Sequence, residues 1–149
     1  MNNPDARMSE LIAAMHATIG EQINELLLPP PVFKTLGGKI LAFDITRGVL
    51  SARFPVEEKY LNPFHTLQGG IIAAIIDNTL GPLSAAIAPP NVTRNLSVTY
   101  SHPVTAAMGQ IIIQAEFLER QERRLFFKAE VRSLAGQRLA RAKAEHWII

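Results

Sequence analysis

Residues 62–88, NPFHTLQGGIIAAIIDNTLGPLSAAIA, decide how the rest of the chain is read. A turn-prone loop (62–68) runs into Gly69-Gly70 and then into a nearly all-apolar run that carries one carboxylate, Asp77. A helix that is apolar on every side belongs in an interior, and an acid placed there must be compensated or used. Two readings are open for it. Pro82 lacks the N–H that would reach the Asn78 carbonyl, so Asp77 either bonds locally freed backbone or carries chemistry.

Toward the N-terminus, Gly37-Gly38 opens KILAFDIT, where Leu41, Phe43 and Ile45 alternate as in a strand. Arg47-Gly48 makes a turn, and Leu50, Ala52 and Phe54 share one side of VLSARF, which completes a hairpin. Further upstream, Met8, Leu11, Ile12, Met15, Ile19, Ile23, Leu26 and Leu27 follow helical spacing. They predict an amphipathic helix over about 7–28, stopped by Pro29-Pro30-Pro31. Its apolar face either covers a sheet or forms a lid over a ligand.

Toward the C-terminus, Pro89-Pro90-Asn91 ends the apolar helix and strands follow. Leu96, Val98 and Tyr100 alternate with polar residues. So do Ile111, Ile113, Ala115 and Phe117, and then Leu125, Phe127, Ala129 and Val131. Residues 138–149 form a last strand, with Ala140, Ala142 and Ala144 on one face, small enough for a helix to approach. The order is helix, hairpin, buried helix, then antiparallel strands without βαβ alternation, which disfavours a parallel sheet. The expected architecture is α+β: one antiparallel sheet wrapped around one central helix. It spans 1–149 as a single domain, with about 1–31 an extra N-terminal helix and linker.

Composition narrows the function. Apolar residues make up 48% and charged residues 19%, the balance of a compact globular chain rather than a disordered one. Cysteine is absent, which excludes disulfides, thiolate metal sites and a Cys nucleophile. The four histidines are scattered without i,i+4 pairing, so no metal site is expected. A net charge of +2, with basic residues gathered between positions 120 and 143, suits a phosphorylated ligand or simply a solvated face. Nucleic acid is not an expected partner, because no basic stripe interleaves with aromatics. The first residues lack a basic region followed by an apolar one, and Asp77, Asn78 and Gly81-Pro82 interrupt the longest apolar run. No signal peptide and no membrane span are therefore expected, and the location is expected to be cytoplasmic.

At Gly69-Gly70 the loop brings backbone N–H groups to a helix start, where four lack intrahelical acceptors and the dipole adds positive charge. Such an end can stabilise a developing oxyanion. Glycine leaves room for a thioester carbonyl to approach the backbone. Asp77 stands seven residues beyond Gly70, about 10 Å along the axis, too distant to serve a carbonyl at its own helix start. A second copy of the helix, antiparallel across a dimer interface, would bring the two together.

The pattern N-x5-Q-G-G-x6-D, followed by Asn78, Gly81-Pro82 and the strand TRNLSVTYSHPV, resembles the hot-dog-fold acyl-CoA thioesterases of the phenylacetic-acid-degradation type. The likeness covers roughly residues 35–149. It implies a homodimer or homotetramer with shared sites, an acyl-CoA substrate and no cofactor. It further implies Asp77 as general base or nucleophile, a carbonyl polarised by Gly70 N–H, and Asn62 positioning the water or thioester. By the same resemblance Gly69 and Asn78 border the substrate, and Thr93 falls where a relative's serine helps hold the water. Many relatives have His-Gly-Gly where this chain has Gln68-Gly69-Gly70. Glutamine donates a hydrogen bond but cannot shuttle a proton near neutral pH. A CoA thiol, with a pKa of roughly 8–9 by analogy with cysteine, leaves without a strong acid, so the substitution is expected to be tolerated. His65 is either an ordinary loop residue or a substrate-side stand-in for the missing histidine. His102 and His146 are expected to be structural.

Two other functions share the fold. Asn62-Pro63-Phe64-His65 resembles the end of the D-x-N-P-x-H loop of hot-dog enoyl-CoA hydratases, but Tyr60 stands where their aspartate belongs. A non-catalytic acyl-CoA-binding module would be expected to lack the helix carboxylate that Asp77 supplies.

Overall fold

The structure, a computed structural model, describes residues 4–149. Its elements are α1 (Pro4–Ile19), α2 (Pro31–Thr35), β1 (Lys39–Asp44), β2 (Val49–Pro55), α3 (Gly69–Ile87), β3 (Asn91–Tyr100), β4 (Gln110–Gln121), β5 (Arg124–Ser133) and β6 (Arg138–Ile148). The six strands form one sheet in the order β1-β2-β4-β5-β6-β3, every neighbouring pair antiparallel. The expected α+β design, a sheet curled around one helix, is what the chain adopts.

α3 is the hub. Ile72, Ile75, Ile76, Leu80 and Leu83 are almost wholly removed from solvent. At about 1.5–3 kcal/mol for each such side chain, their burial outweighs the ~3 kcal/mol that an interior proline costs. The helix accordingly runs on through Pro82 to Ile87. By length and composition α3 would also suffice to cross a membrane, but here it is the core helix. It lies nearest β2, β3 and β4 and packs against α1 as well. The alanine face of β6 is buried, though it is not where α3 comes closest to the sheet.

The N-terminal segment departs from the expected single helix over 7–28. α1 stops at Ile19, and Gly20, with φ +64°, leads into a 3-10 turn over Gly20–Glu25. A left-handed glycine closes a helix at little cost. The proline triplet is not only a stop: Pro31 occupies the first turn of α2, where its missing N–H is no loss. Met8, Leu11 and Met15 are buried on the α1 face that meets α3 and β1. Thr18 Oγ1 donates to Ala86 O at 2.6 Å, tying α1 to the end of α3. Of the two sequence readings, the covering one describes this helix.

Strand alternation holds except where bulges shift it. In β1 the register slips between Ile40 and Ala42, so that Ile40, not Leu41, is the buried partner in the first half of the strand. In β3 it slips between Thr93 and Asn95. The second slip matters for the site.

Candidate functional site

The loop before α3 is held in place by its own side chains. Asn62 Oδ1 accepts from Phe64 N (2.9 Å) and Thr66 N (3.1 Å), and Asn62 Nδ2 donates to Thr66 Oγ1 (2.8 Å). An asparagine that bonds the backbone ahead of it is a standard loop former. Three of its four hydrogen-bonding valences are occupied, which leaves one Nδ2 hydrogen for another group. Leu67 N donates to Val104 O (2.8 Å), and Gln68 N donates to Tyr60 O (3.1 Å). His65 sits at φ +62° with its side chain exposed, and Phe64 beside it is 84% exposed.

Gln68 is the residue before the first turn of α3. Its carbonyl accepts from Ile71 N (3.0 Å) and Ile72 N (3.1 Å), but its side chain does not cap the helix. The N–H groups of Gly69 and Gly70 thus precede the first intrahelical bonds. The two glycines differ. A Cβ at Gly69 would lie 3.2 Å from both Cζ and the hydroxyl of Tyr100, whereas a Cβ at Gly70 would meet no atom within 4 Å. Tyr100 also donates its hydroxyl to Gly69 O at 2.6 Å. The alternation of β3 groups Tyr100 with Leu96 and Val98 in the sequence, but nothing there points to its contact with Gly69.

Asp77 is only half buried. It lies on a partly open stripe of α3 made of Gly70, Ala73, Ala74, Asn78 and Gly81, while Ile75, Ile76 and Leu80 turn inward. It is not bonded to the backbone freed by Pro82; its partner is Thr93, whose Oγ1 donates to Asp77 Oδ1 at 2.7 Å. Asn78 Nδ2 donates back to Ala74 O (2.8 Å), which sets the side-chain amide alongside that open stripe.

The bulge in β3 makes the Asp77–Thr93 contact. Strict alternation would put Thr93 on the same face as Asn95 and Ser97, opposite Leu96 and Val98. With Arg94 as the extra residue, Thr93 pairs with His146 and shares the inner face with Leu96, Val98 and Tyr100. His146, expected to be structural, is brought into the site. Its Nε2 lies 3.3 Å from Thr93 Oγ1 and its Nδ1 lies 2.9 Å from Asn91 Oδ1. It is 1% exposed. Burial pushes its pKa below the ordinary imidazole value, with the Asp77 charge opposing that shift. The sequence did carry a signal: His146 continues the face of Ala140, Ala142 and Ala144 on β6. His102, by contrast, only ties the strand end, its Nδ1 3.2 Å from Arg138 O.

Along the chain Asp77 lies seven residues beyond Gly70 on α3, about 10 Å along the helix axis. A cavity of about 580 Å³ lies elsewhere, bordered by Asp44, Arg47, Ser51, Gln114, Glu116 and Lys128.

No family model matches the chain. Over 110 residues it is 29% identical to acyl-coenzyme A thioesterase 13 of Homo sapiens, an alignment that spans 72% of this chain and 77% of that protein. Among solved structures, a putative thioesterase, phenylacetic acid degradation-related protein, from Ralstonia eutropha JMP134 superposes with TM-score 0.78 at 27% identity, covering 93% of this chain and 99% of that one. The E. coli PaaI protein from the phenylacetic acid degradation operon shares the fold, with TM-score 0.78, 16% identity and 95% of each chain covered. By sequence and by fold, the chain is a hot-dog-fold relative of the acyl-CoA thioesterases of the phenylacetic-acid-degradation type.

Proposed function

We infer that this chain hydrolyses acyl-CoA thioesters to the free acid and CoA, with Asp77 as the base or nucleophile. The observation that carries this reading is the placement of Asp77. It is the one carboxylate of α3, half open to solvent and oriented by the Thr93 hydroxyl at 2.7 Å. A carboxylate in this position can accept a proton from water or attack the thioester carbon itself. Thr93 orients the carboxylate through its donated hydrogen, and its oxygen also lies where it can help hold the attacking water.

The carbonyl is polarised at the start of α3 by the Gly70 N–H, with Gly69 and Gln68 beside it. Developing negative charge there is favoured by the helix dipole and by amide donors that need no reorganisation. The remaining Nδ2 hydrogen of Asn62 guides the thioester or the water into place; its other contacts keep the loop rigid. His65 and Asn78 border the substrate. Gln68 orients without passing a proton.

Because Asp77 is about two helical turns from Gly70, each site takes Asp77 and Thr93 from one protomer and residues 62–70 from another. Three features favour such self-association. Small residues on the open stripe of α3 let a second helix approach. β3 is an edge strand whose outer side can continue the sheet. Phe64 stands out from the loop at 84% exposure, a cost that a partner surface would remove. The reaction calls for no cofactor, and the only further partner required is the acyl-CoA.

The test is a panel of acyl-CoA thioesters, with hydrolysis followed by release of the CoA thiol. Turnover by the native chain, lost in Asp77→Ala, is the expected result. Tight CoA binding without hydrolysis of any thioester would instead identify a binding module.

A further inference from the structure

Asp77, Thr93, His146 and Asn91 form a continuous line of hydrogen-bonding groups: 2.7 Å from Asp77 Oδ1 to Thr93 Oγ1, 3.3 Å on to His146 Nε2, and 2.9 Å from His146 Nδ1 to Asn91 Oδ1. The far end fixes its polarity. Asn91 Nδ2 donates to Pro89 O (2.9 Å) and reaches Ser84 O (3.4 Å). Turning the amide over would set its oxygen against two carbonyls, so Asn91 presents an acceptor to His146. Nδ1 must then carry a hydrogen, and in the neutral ring Nε2 is a bare acceptor.

The proton count at Thr93 is then one short. The hydroxyl has one hydrogen and two acceptors facing it, ionised Asp77 and neutral His146 Nε2. It can serve only one of them, and the contact left unserved is lone pair against lone pair. One added proton resolves this. If it sits on His146, Nε2–H donates to Thr93 and Thr93 donates to Asp77. If it sits on Asp77, the acid donates to Thr93 and Thr93 donates to Nε2.

We propose that His146 is the proton reservoir behind Asp77, reached through the Thr93 hydroxyl and oriented by Asn91. This rests on the reading of Asp77 as the base. When Asp77 takes a proton from the attacking water, its new O–H breaks as an O–H forms on Thr93. The original Thr93 O–H breaks as N–H forms at His146 Nε2. The carboxylate is restored, imidazolium is stored in the interior, and the reverse transfer returns the proton for the departing thiolate. His146 therefore does the proton storage that Gln68 cannot. It touches no substrate and is a positioning residue in the relay.

The surroundings suit this role. The Phe127 ring lies 4.8 Å from the imidazole centroid and keeps that side apolar. Asp77 is the titratable group that faces His146 from α3, and Asn91 and Thr93 are the polar groups on β3. From β5 it meets Leu125, its pairing partner, and Phe127. Its neighbours on β6, Glu145 and Trp147, point to the outer face, where Glu145 is bound by Arg124 (2.7 Å) and by the Trp147 indole (2.6 Å).

The experiment has two arms on the full chain. The first is a nitrogen-15 NMR titration of the histidine side chains without substrate. Native His146 is expected as the Nδ1–H tautomer. Its midpoint is expected to fall by about half a pH unit or more in both Asp77→Asn and Thr93→Val, from loss of the charge or of the bridge, and to stay put in Thr93→Ser. An Nε2–H tautomer, or a midpoint that neither variant moves, overturns the proposal. The second arm is the pH profile of acyl-CoA hydrolysis. Thr93→Val and His146→Gln should lower kcat roughly ten- to a hundredfold with KM little changed, and Thr93→Ser should restore it. Thr93 is an exposed edge-strand position, so Thr93→Val decides the matter even if His146→Gln does not fold. Native-like profiles in Thr93→Val alongside an inactive Asp77→Asn would overturn the relay and leave the base intact. Native protein that hydrolyses no acyl-CoA would overturn the functional reading, and the relay with it.

Discussion

Gly70→Ala separates the demands of folding from those of catalysis at the start of α3. Gly70 is exposed, it is not among the glycines with positive φ, and an added Cβ meets no atom within 4 Å. Alanine therefore fits without strain and gives up less backbone entropy on folding. The expected gain is about 0.4–1 kcal/mol, or a rise in Tm of roughly 1–4 °C for a chain of this size. The same empty space is where the proposed reaction brings the thioester carbonyl to the Gly70 N–H. A methyl group there pushes the acyl group or the sulfur outward, and a displacement of about 1 Å costs on the order of a hundredfold in rate. Calorimetry and thiol-release kinetics on the same preparation read both effects. A raised Tm with undiminished kcat/KM would refute the placement of the carbonyl. A lowered Tm would show that the space is not open and put a second copy of the chain against Gly70. Gly69→Ala is the contrasting control. Its Cβ would press on the Tyr100 ring and hydroxyl at 3.2 Å, so stability is expected to fall rather than rise.

Asp77→Asn should keep the fold and cost at least about a hundredfold in kcat, the low end for loss of a general base; full turnover would show that the carboxylate is not the base. Phe64→Asp should weaken self-association and activity together, as read by sedimentation and kinetics across protein concentration, and an unchanged mass would remove Phe64 from the interface. Gly38→Ala should destabilise by about 1–3 kcal/mol, because its Cβ would come within 2.7 Å of the Phe33 and Phe54 rings; chemical denaturation giving a native midpoint would contradict that packing. His146 binds its proton less readily folded than unfolded. The unfolded chain therefore holds more protons below about pH 6.5, and the contribution is complete above that value and lost as pH falls through the folded pKa. Tm measured against pH should decline on the acid side and flatten in His146→Gln.

The fold was readable because its signals are cumulative. An apolar segment with buried Ile75, Ile76, Leu80 and Leu83 can only be central. The period-2 runs of β4, β5 and β6 keep their pattern wherever register is regular. What failed to show was the end of α1. The apolar spacing continues past Gly20 through Ile23 and Leu27, yet the glycine turns the chain and Leu27 is left 76% exposed. Periodicity reports which face is greasy; it does not report where a left-handed residue stops the helix. The proline triplet misled for a related reason. Proline ends a helix it follows but also starts one, and Pro31 does the second.

The candidate site shows a sharper limit. Asp77 and Gly70 stand out in one dimension because each is the wrong kind of residue, or the smallest, for its surroundings. Asn62, an ordinary loop former, is marked only by the motif around it. Thr93 and His146 do not stand out. Thr93 entered only through resemblance, and alternation in β3 argues against it, since Thr93 shares parity with Asn95, Ser97 and Thr99. One extra residue at Arg94 reverses that parity, and the reversal carries Thr93 Oγ1 to within 2.7 Å of Asp77. A bulge of this kind has no strong sequence signature, because any residue can be the one left over. His146 was legible in principle, as a polar side chain continuing the alanine face of β6, but its meaning depends on the strand it pairs with. β6 and β3 are neighbours although β4 and β5 lie between them in sequence. The line Asp77–Thr93–His146 therefore joins a helix, a bulged edge strand and the last strand of the chain, and it exists only once all three are in register.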